Sequence, residues 1–201
     1  MAATRTGHGS PGMGPGTSAN PKESATDTFA TLHSLALRGA ARQLPEEPGS
    51  LIREGLVRPT SKGYELTELG HRRHRALFEG ERRSIDLGLL EMAYARLPGL
   101  TRRLRDLSLE WEANDELTRG QMVGRLCAIV DEAELILRRS AAIAPRFASY
   151  RRRLDAAKYL LVDSDQRYAF GSEVESILTV WREMTEDYLQ TLGCAHDEDD
   201  L

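Results

Sequence analysis

Cysteine is nearly missing. Cys127 and Cys194 are the two in 201 residues, far apart and without CxxC spacing. A disulfide framework and a thiolate zinc site are therefore not expected, and a reducing cytoplasm is the expected compartment. Aromatic residues make up only 6%. No apolar run approaches the ~20 residues needed to span a membrane, and the first residues lack the apolar core of a signal peptide. The chain also has no Gly-rich phosphate loop, no GxSxG, no HExxH and no nucleotide fingerprint. No catalytic residue, metal or cofactor is expected from these motifs, and a non-enzymatic role is the first reading.

Leu, Ala, Arg and Glu are abundant, which favours helices. Charge is unevenly placed. Residues 50–105 hold 12 Lys/Arg against 7 Asp/Glu, whereas residues 106–201 hold 11 against 20. A basic front and an acidic back suit a polyanion-facing domain joined to a helical body. An uneven scatter of surface charge is the bland alternative.

The first 22 residues are rich in Gly, Pro, Ser and Thr without apolar periodicity, and are expected to be disordered. Phe29, Leu32, Leu35 and Ala36 then recur at helical spacing, capped by Asp27 or Thr28, in a helix reaching about Ala41. His33 lies among them and reads as a semi-buried histidine rather than a ligand. Leu44–Gly49 is a proline loop.

The stretch Gly55–Gly70 is the most informative. Leu56 and Val57 suit a short strand, and Pro59, Ser61 and Gly63 reverse the chain. Tyr64 and Leu66 alternate with polar neighbours as a returning strand does. Thr67 stands where a hydroxyl can cap the following helix, which runs to about Arg83. Strand, basic turn, strand and capped helix resemble the wing of bacterial winged-helix regulators, MarR-like proteins among them. Their wing commonly reads Gly-Leu-Val-Arg-Arg…Tyr-x-Leu-Thr-x-x-Gly. The chain departs from that pattern just upstream. Only about a dozen residues separate Ala41 from Gly55, which leaves room for one short helix rather than a supporting and a recognition helix. The recognition helix would be Gly49–Glu54, with Arg53 its only cation.

In the helix after Thr67, His71 and His74 stand at i, i+3, a spacing that permits shared metal ligation. No third ligand has matching spacing, so both read as part of a solvated face. Arg72, Arg73 and Arg75 could neutralise phosphates. Ile85–Leu97 reads as an amphipathic helix broken by Pro98-Gly99, and Leu100–Leu109 as its resumption. Trp111–Asp115 reads as a helix end. Gly120–Ser140, Pro145–Leu161 and Ser172–Leu192 carry long apolar stripes, the last closed by Gly193, with a polar loop over Asp163–Gly171. Three such helices must bury their stripes on one another as a bundle.

A second resemblance lies in this half. Pro145-Arg146-Phe147-Ala148-x-Tyr150…Leu154, Thr179-Val180-Trp181-Arg182-Glu183 through Gly193, and Leu109-Glu110-Trp111 are similar to the C-terminal half of an actinobacterial group of winged-helix or MarR-type regulators. That group commonly carries Tyr-His just before Thr-Val-Trp. Here Ile177 and Leu178 stand in those places, without the pair's polar chemistry.

The expected fold is mainly α: an N-terminal degenerate winged helix with a small β-hairpin wing, followed by a C-terminal α-helical bundle. The expected segments are a tail (1–24), a winged-helix-like domain (25–83), a bundle for dimerisation or ligand binding (84–193) and an acidic tail (194–201). The resemblance implies a cytoplasmic, homodimeric transcriptional regulator that binds double-stranded DNA and possesses a small-molecule site, with no membrane partner. Arg53, Arg58, Lys62, Arg72, Arg73 and Arg75 would contact DNA. Trp111, Tyr150, Tyr168, Phe170 and Trp181, with Arg146 and Glu183 as polar handles, could line a ligand pocket, although aromatic core packing explains the same rings. The acid pairs, Glu183/Glu186/Asp187 among them, read mostly as water-facing helix surface. The rival function is a regulator-derived scaffold that has lost specific DNA binding and binds or converts a metabolite.

Overall fold

A computed structural model describes residues 21–42, 44, 48–163 and 165–194. Most of the N-terminal tail and nearly all of the acidic tail lie outside the described residues. The described residues are mainly helical with one small antiparallel sheet.

Helix α1 runs over Pro21–Arg38, so it starts before the expected Asp27 or Thr28 cap and stops short of Ala41. Gly39, at φ +73°, ends it by taking the left-handed conformation that L side chains avoid. Ala41 then makes both backbone hydrogen bonds of an antiparallel bridge to Tyr64 (3.0 and 2.8 Å). Helix α2 is a short piece, Gly49–Arg53. Strands β1 (Val57–Thr60) and β2 (Gly63–Leu66) pair in the register Val57↔Leu66 to Thr60↔Gly63 around a Ser61-Lys62 turn. Val57 and Leu66 at the paired ends are buried with Leu32, Leu35, Leu51 and Leu56, a small apolar core of their own.

Helix α3 (Glu68–Ser84) begins as its sequence suggests: the Thr67 hydroxyl accepts from the Gly70 N–H at 3.0 Å. Gly70 is there for room. A Cβ at that position would collide with the Leu56 carbonyl oxygen. Helix propensity alone favours Gly70→Ala by about 1 kcal/mol, whereas this contact reverses the sign. The substitution should destabilise by about 1–3 kcal/mol through overpacking, read as a lower urea midpoint with an unchanged m-value. A raised midpoint would contradict the close approach.

The remaining helices form a second, larger core. They are α4 (Leu87–Tyr94), α5 (Leu97–Glu112), α6 (Glu116–Ile143), α7 (Phe147–Val162), the short α8 (Arg167–Phe170) and α9 (Ile177–Leu192). Pro98-Gly99 opens α5 rather than breaking a helix, because proline's missing N–H costs nothing in a first turn. The stretch expected as a polar loop contains α8, and α9 starts five residues later than expected, capped by the Ser176 hydroxyl. Among the described residues, no helix is long and apolar enough to cross a membrane.

Candidate functional site

Helix α9 joins the two cores, and its sequence carries two stripes. Val180, Trp181, Met184 and Tyr188 are fully buried in the larger core. Thr179, Glu183, Asp187 and Thr191 recur every four residues as a polar stripe. That stripe does not face water. Glu183 is 7% exposed and Asp187 is fully buried, which corrects the water-facing reading of these acids. Partners arriving from α1, α3 and α7 cover them.

Arg146, just before α7, with Tyr150 and Arg153 of α7, forms a matching stripe antiparallel to the first. Arg146 donates to Asp187 through Nε and Nη2 (3.1 and 2.9 Å), and Nη2 also reaches the Thr191 hydroxyl (2.6 Å). The Tyr150 hydroxyl donates to Asp187 Oδ2 at 3.0 Å. Arg153 Nη2 donates to Glu183 at 2.6 Å. From α1, His33 Nε2 stands 3.1 Å from Asp187 Oδ1, and Arg38 Nε donates to Glu183 at 2.6 Å. From α3, Glu81 pairs with Arg146, and Arg82 Nε donates to the Thr191 carbonyl at 2.7 Å.

His74, in the middle of the basic run, is buried rather than solvated. Its Nε2 is 2.9 Å from His33 Nδ1, one nitrogen donating and the other accepting. Phe29 and Phe78 stack about the two imidazoles. Burial, with His33 and His71 close by, pushes the His74 pKa down to about 4, so its ring is neutral near pH 7. Burial alone would raise the Asp187 carboxyl. His33 and Arg146 outweigh it and hold Asp187 well below the usual carboxylate range. Burial, reinforced by the Asp187 charge, keeps the Tyr150 phenol protonated.

This buried seam underlies a cleft of about 1650 Å³ between the hairpin side and the bundle. The structure brings Arg146, Tyr150, Tyr168 and Glu183 together along it. Trp111 and Trp181 stay away. Trp181 lies two residues, and so about 200° of helix, from Glu183, and its indole N–H donates to Thr101 at 3.0 Å inside the core. Trp111 packs edge-on against Phe170 at the end of α5. The two tryptophans are core residues, and only the polar handles and tyrosines reach the cleft. His33, read from the sequence as semi-buried and found buried, and Asp187, read there as a surface acid, complete it together with Arg38 and Arg153, which the sequence did not single out. The detectable signal was the four-residue polar stripe on an otherwise apolar α9.

The candidate DNA contacts fall elsewhere. Arg72, Arg73 and Arg75 are exposed on α3, flanking the inward His74, and no described carboxylate pairs with them. Arg53 is exposed and its Nε donates to its own helix at Gly49. Arg58 is exposed but within 3.3 Å of Glu65. Lys62 is exposed in the hairpin turn, where it also reaches the rim of the cleft.

The Asp187–His33 pair resembles a base and its orienter, but His33 is buried and its other nitrogen is occupied by His74. Among the described residues, no three His, Cys, Asp or Glu side chains are grouped to hold a metal. No family model matches the chain, nor does any curated protein or solved structure.

Proposed function

We propose that the protein is a ligand-responsive, DNA-binding transcriptional regulator of the winged-helix, MarR-like type. Residues 25–83 would meet DNA, and the bundle would dimerise and hold the effector. The observation that carries the reading is the set of Arg72, Arg73 and Arg75. Three exposed guanidinium groups within about one helical turn, without a described acidic partner, stand on a helix anchored from behind by His74 and Arg82. Such groups neutralise phosphates. The edge order Ala41–β2–β1 and the Thr67-capped helix support the winged-helix part. Leu89 and Met92, exposed at i, i+3 on α4, support a dimer face.

Base reading is the weak side of this function. Helix α2 has five residues and so spans only about 7.5 Å, too little to bring several side chains to base edges in a major groove. The protein should therefore bind duplexes mainly through phosphates. Replacing Arg72, Arg73 and Arg75 together by alanine should flatten the slope of log K against log salt by about 2–3. Fluorescence anisotropy of a labelled duplex across a salt series measures this. An unaltered slope in a folded variant would remove α3 from the interface.

The cleft favours a second reading. A regulator-derived scaffold that no longer reads DNA would keep this site for a metabolite. That protein would show a ligand-induced rise in melting temperature with no duplex binding above the electrostatic background.

A further inference from the structure

Two arginines from distant parts of the chain hold the same two carboxylates at the cleft. Arg38 of α1 donates through Nε to Glu183 (2.6 Å) and through Nη2 to Glu175 (2.7 Å). Arg153 of α7 donates through Nη2 to Glu183 (2.6 Å) and through Nε to Glu175 (2.9 Å). The four contacts close a ring. Its two acids are not equivalent. Glu183 sits on α9 with a side chain 5% exposed, held as part of the buried seam. Glu175 comes from the turn 171–176 before α9, its side chain is 47% exposed, and the single oxygen Oε1 takes both arginines.

Glu175 is thus a solvent-reachable carboxylate resting on a guanidinium pair that lines a cleft. Burial would raise its pKa, but Arg153 and Arg38 hold the carboxyl below its ordinary value, so it is an anion throughout the neutral range. If the turn moves aside, Arg38, Arg153 and Glu183 leave one net positive charge facing the cavity, with two planar forks already set for carboxylate oxygens.

We propose that Arg38 and Arg153 form the carboxylate clamp of a site for a small di- or tricarboxylic acid, with Glu175 as its built-in competitor. One carboxylate of the ligand replaces that of Glu175. The rest of the molecule meets Arg42, Lys62 and Arg152, which are exposed along the same cleft. Glu183 remains beside the clamp and disfavours a doubly charged phosphate there. Because Arg38 belongs to the hairpin side and Arg153 to the bundle, binding exchanges a contact that ties the 171–176 turn to both. The inference rests on the cleft being the effector site and needs no contact with DNA.

Isothermal titration of the full chain with citrate, succinate and inorganic phosphate, at constant ionic strength, tests it. Glu175→Gln keeps the shape of the turn but no longer competes as an anion, so it should bind citrate about tenfold more tightly than the wild type. Succinate should bind more tightly than phosphate to both proteins. Adding Arg153→Gln to Glu175→Gln should abolish the gain in a protein with unchanged circular dichroism. Equal citrate affinity in the wild type and Glu175→Gln overturns the proposal, whether or not the double variant folds. Phosphate binding as tightly as succinate also overturns it. The duplex titration is run without added acid, so failure here leaves that result standing.

Discussion

Asp187→Asn should lower the unfolding free energy by about 3–5 kcal/mol, the range seen when one member of a buried ion pair is removed. Asp187 is fully buried and is the acceptor on which Arg146, Tyr150 and Thr191 converge, with His33 3.1 Å away. The amide keeps the volume but withdraws the negative charge. Arg146, itself largely buried, is then left with Glu81 as its only charged partner among the described residues. For a chain of this size the loss corresponds to roughly 10 °C in melting temperature. Urea denaturation at pH 7 measures it, with the m-value as a check on the two-state assumption. The pair should also be strongly non-additive. Asp187→Leu combined with Arg146→Met removes both charges, and should cost well under the sum of the single variants. A change below half a kcal/mol for Asp187→Asn would mean that the seam does not hold the hairpin side to the bundle.

Acidification should cost about 3 kcal/mol between pH 6.5 and pH 4, and most of that should come from His74. Its pKa falls from an ordinary 6.5 to about 4 in the folded chain. In that interval the unfolded chain binds the proton that the folded chain refuses, so stability falls as pH falls; a shift of this size is worth about 3 kcal/mol. Protonated His74 would face His33 from α1, Arg146 at the start of α7 and its own neighbour His71, with Asp187 from α9 opposing them. Asp187 adds a second acid-labile contribution. Its depressed carboxyl stabilises above the ordinary carboxylate pKa and loses that effect at still lower pH. Glu81 acts the other way. Burial raises its pKa despite Arg146, so the folded chain takes up that proton first and partly offsets the loss. His74→Gln retains an amide near the Nε2 position but does not titrate across this interval. Its urea midpoint should be lower at pH 7, and its slope between pH 6.5 and pH 4 should be nearly flat. A wild-type slope surviving in His74→Gln would assign the titration elsewhere.

Most of the local elements were legible in the sequence, although α8 and the ends of α1, α4 and α9 were not. Hydrophobic period alone placed α6, α7 and α9 and required them to pack together, because an amphipathic stripe of that length has to be buried. Turn chemistry placed the hairpin, and the Thr67 hydroxyl placed the start of α3. The cleft was legible only in part. Arg146, Tyr150, Tyr168 and Glu183 could be picked out as polar groups near aromatics, but the tryptophans beside them could not be told from core.

Tertiary structure decided the rest. A polar stripe at every fourth residue reads as a wet face in an isolated helix, and Glu183, Asp187 and Thr191 are such a stripe. They are dry because His33, Arg38, Arg146 and Arg153 arrive from positions 30 to 154 residues away along the chain. His74 is buried among exposed arginines for the same reason. Helical period gives the angle between side chains, but which angle meets another helix is set by how the helices pack, and no local pattern records it.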